Sequence, residues 1–399
     1  MQNIPSDIKH RDWLRHDANQ QLDFFYQSLT KDGCFASLNW DGSQKTNMSQ
    51  ELHTTTRMVH SYALGKAFGY TAADNIIDAG MAALWNWHRD QDNGGYAWSV
   101  DKASIRDGQK LAYGHVFVLL AAASAKNAGH PDADRLISDI SCILEKYFWD
   151  DACGRFREEY DADWTPFSTY HGMNANMHGA EALLTAYEAT GHEKYLDHSG
   201  RILDYFTGTI APQFDWRIPE HYTEDWQIDT EYSGDLMFRP AGTTPGHSFE
   251  FGRLVIQHWD LTGRPNTGAL HLARHLIYKA LSDAWLDEGG FCYTLNLNGE
   301  ISIKDRYWWP VTEAIGALSV CLQVDPTETD EIWYTKLWNF AQFNFVDAER
   351  GGWYPEINSF GDPVGRQFFG KPDIYHALQA EFIALTGAPS NLFSAISDS

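Results

Sequence analysis

Two kinds of apolar pattern alternate along the chain. One is apolar on nearly every side: ELHTTTRMVHSYALG, LAYGHVFVLLAAASA, NANMHGAEALLTAYEATG, GHSFEFGRLVIQHWDLTG, WWPVTEAIGALSVCLQV and DIYHALQAEFIALTG. Such stretches predict buried helices, and several close on a glycine, a common helix stop. The other kind is apolar on one side only, most clearly in ADNIIDAGMAALWNWHRD and ADRLISDISCILEKYFWD. It predicts an amphipathic helix between each buried helix and the following turn.

The turns also recur. Segments rich in glycine and aromatics begin at Lys31, Asp92, Asp151, Asp287 and Glu349, and align on Gly33, Gly95, Gly154, Gly290 and Gly352. Their spacing is about sixty residues, with one gap about twice as long, so a degenerate sixth copy is expected near FDWRIPEHYTEDW from Phe214. Glycine for positive φ, flanked by β-prone aromatics, predicts a short hairpin. Six repeats of hairpin, buried helix and amphipathic helix predict an all-α (α/α)6 barrel. Six inner and six outer helices would form one domain over residues 1–399, with the hairpins gathered at one mouth. An open α-solenoid is the alternative. It requires neither inner helices apolar all round nor a hairpin at one end of every repeat.

Polar residues interrupt the buried helices near their N-terminal ends, in nearly constant register: Arg57, His115, His178, His247, Glu313 and His376. Equivalent positions around a closed ring converge on one axial pocket. Burying ionisable groups is costly unless they are paired or used, so the set is a candidate site. Tyr113, beside His115, is the alternative pocket-facing residue on its helix. His247 and Glu250 are three apart and share a helical face, so Glu250 is expected to hold the His247 imidazole. His178 and Glu181 repeat that spacing, and Asp373 lies one turn before His376. A histidine and carboxylate ring could hold zinc, but the sequence has no H-E-x-x-H and each histidine is on a different helix. No metal is expected. The chain also lacks G-x-S-x-G, a P-loop and a G-x-G-x-x-G before a helix, which removes support for serine hydrolysis and nucleotide chemistry.

Composition narrows the classes further. With 54 Asp+Glu against 30 Lys+Arg, the net charge of −24 leaves no basic footprint for nucleic acid or an anionic membrane. No stretch approaches a transmembrane span, and the opening MQNIPSDIKHRDWLRHD has no apolar signal region, so a cytoplasmic location is expected. Five widely spaced cysteines without a C-x-x-C pair predict neither a disulfide framework nor a zinc cluster. The 16 Trp residues suit sugar stacking, though an aromatic core accounts for them equally.

Histidines are suited to moving a carbon-bound proton next to a carbonyl, as at C2 of an open-chain aldose. Return of the proton to C1 gives the 2-ketose; return to the opposite face of C2 gives the 2-epimer. At these motifs the chain resembles the N-acylglucosamine 2-epimerase superfamily of (α/α)6 barrels, in the branch that holds mannose and sulfoquinovose isomerases. The resemblance runs from His10-Arg11-Asp12-Trp13-Leu14 through Thr56-Arg57-Met58-Val59-His60, Asn174-Ala175-Asn176-Met177-His178, Thr244-Pro245-Gly246-His247 and Trp309-Pro310-Val311-Thr312-Glu313-Ala314. It ends at Gly370-Lys371-Pro372-Asp373-Ile374-Tyr375-His376.

The resemblance implies that His247 and His376 are the acid/base pair and that Arg57 stabilises an enediolate. It implies that His178 and Glu250 assist ring opening, and that Tyr113, Asn174, Trp309 and Glu313 line the sugar. It places Arg239 in a segment bordering the pocket, and it implies neither metal nor organic cofactor. Sulfoquinovose-handling relatives carry glutamines near C6 and, at a further position, a tryptophan. Here Pro355, Pro372 and His53 stand at those places. The expected substrate is therefore a neutral monosaccharide: D-mannose converted to D-fructose, with D-lyxose as a further substrate. Alternatives are a sugar 2-epimerase, a sulfoquinovose isomerase, a glycoside hydrolase using Glu250 and Glu313, and a non-catalytic sugar-binding protein. A homo-oligomer is compatible with the sequence.

Overall fold

The computed structural model describes residues 5–46, 48–102, 104–265 and 268–398; the first four residues of the segment read for a signal lie outside them. The buried stretches form α2 (Leu52–Ala67), α4 (Ala112–Asn127), α6 (Met173–Thr190), α8 (Pro245–Leu261), α10 (Trp308–Val324) and α12 (Tyr375–Leu385). The amphipathic ones form α3 (Ala73–Ala83), α5 (Ala133–Ile143), α7 (Glu193–Leu203), α9 (Gly268–Ala284) and α11 (Glu328–Asn344). In α5 the buried residues Leu136, Ile137, Ile140 and Ile143 make a single stripe, as period 3.6 requires. In α4 nearly every residue from Ala112 to Ala125 is buried.

Each inner helix packs on the next from α2 to α12, and α12 packs back on α2. The ring is closed, which distinguishes the barrel from an open solenoid. Helices α3, α5, α7, α9 and α11 each pack on the inner helix that precedes them. The sixth outer place corrects the expectation. Among the described residues no outer helix follows α12 except the short α13 (Leu392–Ser397); α1 (Ile8–Tyr26), at the other end of the chain, packs on α12 instead. Arg11 donates to the carbonyl of Leu385 at 2.8 Å, and Trp353 Nε1 donates to Asp17 at 2.9 Å. The apolar stripe of α1 is interrupted by buried His10, Asp17 and Gln21, which hid it from a reading of hydrophobic pattern.

The glycines on which the turns align all take left-handed φ, from 69° to 81°. In the degenerate copy Asp215 and Trp216 adopt that conformation without glycine, at φ 55° and 64°, a strain of about 1–2 kcal/mol per residue. The segment entering each inner helix bridges to the strand after a neighbouring hairpin. Gln50–Glu51 pairs with Ser99–Val100, Lys110–Leu111 with Glu159–Tyr160, and His171–Gly172 with His221–Tyr222. Thr243 pairs with Leu295, Arg306–Tyr307 with Glu356–Ile357, and Lys371 with Leu38. The last bridge again joins the chain's two ends. These bridges circle one mouth, and the N-termini of the six inner helices open onto it. Polar side chains entering the helices latch the hairpins: buried Lys110 reaches Asp90 at 2.9 Å and buried Lys371 reaches Asp347 at 2.7 Å. The five cysteines are free. Among the described residues no helix is long and apolar enough to cross a membrane.

Candidate active site

At this mouth two imidazoles flank one indole. The Trp309 ring, in the first turn of α10, has its centroid 5.1 Å from the ring of His247 and 5.7 Å from that of His376. Its position against α8 depends on Gly246, because a Cβ there would lie 2.2 Å from the indole. Each imidazole rests Nδ1 on a glutamate: His376 on Glu313 at 2.8 Å, His247 on Glu220 at 2.9 Å. A carboxylate on Nδ1 fixes the tautomer and leaves Nε2 to exchange a proton.

The carboxylate under His247 is not the one expected. Glu250 shares a helical face with His247 but lies one turn deeper, where its Oε1 is 3.4 Å from Nδ1 of His178 on α6. Glu220 comes instead from the degenerate hairpin and also accepts the backbone N–H of Thr244 at 3.1 Å. A carboxylate near that helix start is favoured by the exposed N–H groups there, and Pro245 in the first turn suits the start. Asp373 likewise does not serve His376. It accepts from Arg57 Nη1 at 2.7 Å and from the Tyr375 N–H at 3.1 Å.

Arg57 is the cation of the mouth. Its Nη2 donates to the Tyr113 hydroxyl at 2.9 Å, and its guanidinium lies 4.8 Å from the ring centroids of Phe117 and Tyr375. Its Nε is buried without a partner among the described residues, and so is Oδ1 of Asn174. Both are groups that a bound polar ligand can satisfy. Tyr113 faces the axis and His115 does not, because residues two apart on a helix point about 200° apart. His115 Nδ1 bonds the Leu111 carbonyl at 2.8 Å and Nε2 accepts the Tyr96 N–H at 3.0 Å, so it holds a hairpin. Burial lowers its imidazole to about 3. Arg239 stands apart on the rim, salt-bridged to Glu159 and 4.6 Å over the Tyr170 ring. His53, also on the rim, stacks on Trp98 at 5.3 Å.

Below the imidazoles lie three buried acids. Burial raises Glu250 well above the usual carboxyl range, and the neighbouring Glu313 and Glu181 raise it further. Burial also opposes charge on Glu313, but Arg253 and His376 outweigh it and hold Glu313 low. Burial takes His178 down to about 4, so its imidazole is neutral. His178, Glu181 and Glu250 bring ligand-type atoms within 4.8 Å of one another. Arg253 contacts both carboxylates, at 3.3 and 3.5 Å. Sequence reasoning missed Glu220, Tyr375 and Arg253. Glu220 was legible only as a carboxylate within the sixth repeat turn; Arg253 had the signal of a charge inside a stretch otherwise apolar all round.

The fold and site define an (α/α)6 barrel with two carboxylate-backed imidazoles and an arginine at one mouth. Residues 33–380 match the family model of N-acylglucosamine 2-epimerase (GlcNAc 2-epimerase), and the chain belongs to that family. It is 37% identical to the D-mannose isomerase of Thermobifida fusca, over 97% of both chains. It is 34% identical to the D-mannose isomerase of Pseudomonas cannabina pv. alisalensis, over 97% of this chain and 95% of that one. A crystal structure of D-mannose isomerase superposes with a TM-score of 0.88 at 28% identity, covering 94% of this chain and 97% of the other.

Proposed function

We propose that the protein is a metal-independent aldose–ketose isomerase that interconverts D-mannose and D-fructose, with D-lyxose as a further substrate. The observation that carries this reading is the pair of imidazoles flanking Trp309, each with Nδ1 on a glutamate. Neutral His178 and protonated Glu250 assist opening of the sugar ring. His376 removes the C2 proton of the open-chain aldose. Arg57, with the convergent helix N-termini, holds the oxygens of the cis-enediolate as charge develops. The proton returns to C1, while His247, as the partnering acid, protonates O1 and takes the proton from O2 as the C2 carbonyl forms. Trp309, Tyr113, Asn174 and Glu313 shape the sugar's position.

Incubation with D-mannose in D2O, followed by NMR, tests this reading. D-fructose is expected, with deuterium at C1 to the extent that the base exchanges with solvent, and the conversion should persist in EDTA. Absence of both D-fructose formation and C2-proton exchange overturns catalysis, and loss of activity on chelation with rescue by a divalent ion overturns the metal-free mechanism. The second imidazole also favours a reading as sugar 2-epimerase; D-glucose as the dominant product would establish it. Glycoside hydrolysis fits poorly, because Glu313 is engaged by His376 and Arg253 while Glu250 is buried against His178.

A neutral sugar fits the rim. Pro355 accepts the Trp308 N–H through its carbonyl, Pro372 offers no side-chain donor, and Arg239 is engaged by Glu159. The kcat/KM for D-mannose should exceed that for sulfoquinovose and for mannose 6-phosphate at least about tenfold, roughly 1.4 kcal/mol in transition-state binding. The free cysteines suit a cytoplasmic location.

A further inference from the structure

Among the described residues Arg253 makes no hydrogen bond to an imidazole, yet one of its nitrogens reaches all three buried glutamates below the mouth. Its Nη2 lies 3.3 Å from Glu181, 3.3 Å from Glu313 and 3.5 Å from Glu250. Nη1 donates to Gln257 at 3.2 Å, and the side chain is 2% exposed. A single positive charge cannot balance three ionised carboxylates in a buried site, so the cluster must hold a proton. The neighbours decide where it goes. Glu181 accepts from Gln379 at 2.8 Å and from the Tyr375 hydroxyl, and Glu313 accepts from His376. Neither oxygen of Glu250 has a hydrogen-bond partner among the described residues.

We propose that Arg253 is a positioning residue that divides charge among these acids, keeping Glu313 ionised beneath His376 while Glu250 stays protonated. The inference rests on the reading of His376 as a base and assigns what keeps it one. The ionised Glu313 accepts the Nδ1–H and so leaves Nε2 unprotonated toward the pocket. The charged and titratable groups packed around this cluster are Arg57 and His60 from α2, Tyr113 from α4, and His178 and Glu181 from α6. Glu250 comes from α8 with Arg253 itself, Glu313 from α10, and Tyr375 and His376 from α12. Arg57 is committed to Asp373 and Tyr113, so among the described residues Arg253 is the cation in contact with Glu313.

The sign follows from charge. Removing Arg253's positive charge makes the cluster bind protons more tightly, so protonation silences the base at higher pH. The acid limb of kcat/KM for Arg253→Met should move up by about one pH unit, with kcat down about 10- to 100-fold. Arg253→Lys keeps the charge, so its limb should stay at the wild-type pH. A purely structural role would lower activity without moving the limb, and an unmoved limb in folded Arg253→Met overturns the proposal. A second test removes the charge that Arg253 supports. Arg253→Met should cost kcat in the wild-type background and little in Glu313→Gln, where that charge is gone. An equal cost in both backgrounds also overturns the proposal. Failure of the underlying reading looks different: His376→Asn would then retain C2-proton exchange and the same acid limb, whatever Arg253 does.

Discussion

His376 and His247 each rest on a glutamate, but the two glutamates are held by different means. Glu313 lies on an inner helix below the mouth, where Arg253 and the imidazole itself are its polar contacts. Glu220 lies on the rim, where it accepts the Thr244 N–H at the start of α8. His247 is the more open of the two, its side chain 13% exposed against 8% for His376. The same chemical pair is thus fixed once by a buried side-chain cation and once by a backbone donor at a helix start. The Glu313 pair depends on a cluster of acids around Arg253, whereas the Glu220 pair depends on local chain geometry.

Removing the imidazoles should have the largest effect. His376→Asn is expected to lower kcat about 10²- to 10⁴-fold while leaving sugar binding largely intact; near-normal turnover would remove His376 from proton transfer. His247→Asn should also be severely impaired, and NMR of C2-proton exchange in D2O separates the two roles. Exchange surviving only in His247→Asn sharpens the asymmetry, and equal loss in both breaks it.

The glutamates should differ next. Glutamine at Glu220 can still accept from His247 and Thr244, whereas glutamine at Glu313 cannot satisfy both neighbours, because its amide N–H2 would meet the Arg253 guanidinium donor to donor. Glu313→Gln should therefore cost about 10² in kcat and Glu220→Gln about tenfold, smaller than the loss from spoiling a buried triad carboxylate. Equal losses in steady-state kinetics would show that the surroundings do not matter. Arg57→Lys should lower kcat by about tenfold and by more than it raises KM, because a point charge replaces a fork that holds two oxygens as charge develops. An effect confined to KM would reassign Arg57 to ground-state binding.

The smallest effect concerns a buried acid without a cation. Glu381, on α12 at the seam with α1, has both oxygens unpartnered among the described residues, and burial with nearby Asp17 raises it well above the usual carboxyl range. The folded state therefore holds a proton that the unfolded chain releases. Stability from this group is present below the ordinary glutamate pKa and is lost as pH rises toward the folded value, by up to about 1.4 kcal/mol per pH unit. Glu381→Gln should raise the melting temperature at pH 8 more than at pH 5 and flatten the fall between them. An unchanged pH profile would place the proton elsewhere.

Much of the architecture was legible because burial leaves a periodic trace. Helices apolar all round, one-sided helices between them and glycines at left-handed turns define the repeat, and the register of Arg57, His178, His247, Glu313 and His376 marks the mouth. Two kinds of information were not legible. The closing helix α1 carries buried polar groups that break its stripe, and its place is set by contact with α12, far away in sequence. The partners of the imidazoles come from other elements as well: Glu220 from a degenerate turn, Glu313 from a neighbouring helix. Spacing along one helix suggested Glu250 for His247, but a side chain's hydrogen-bond partner depends on depth along the barrel axis and on the facing helix. The sequence by itself determined which residues are buried, in what period, and which kinds of chemistry the chain can offer. Only the closed ring decided which acid meets which base and which acid keeps its proton, because hydrogen bonding and charge act through a few ångströms of space regardless of separation along the chain.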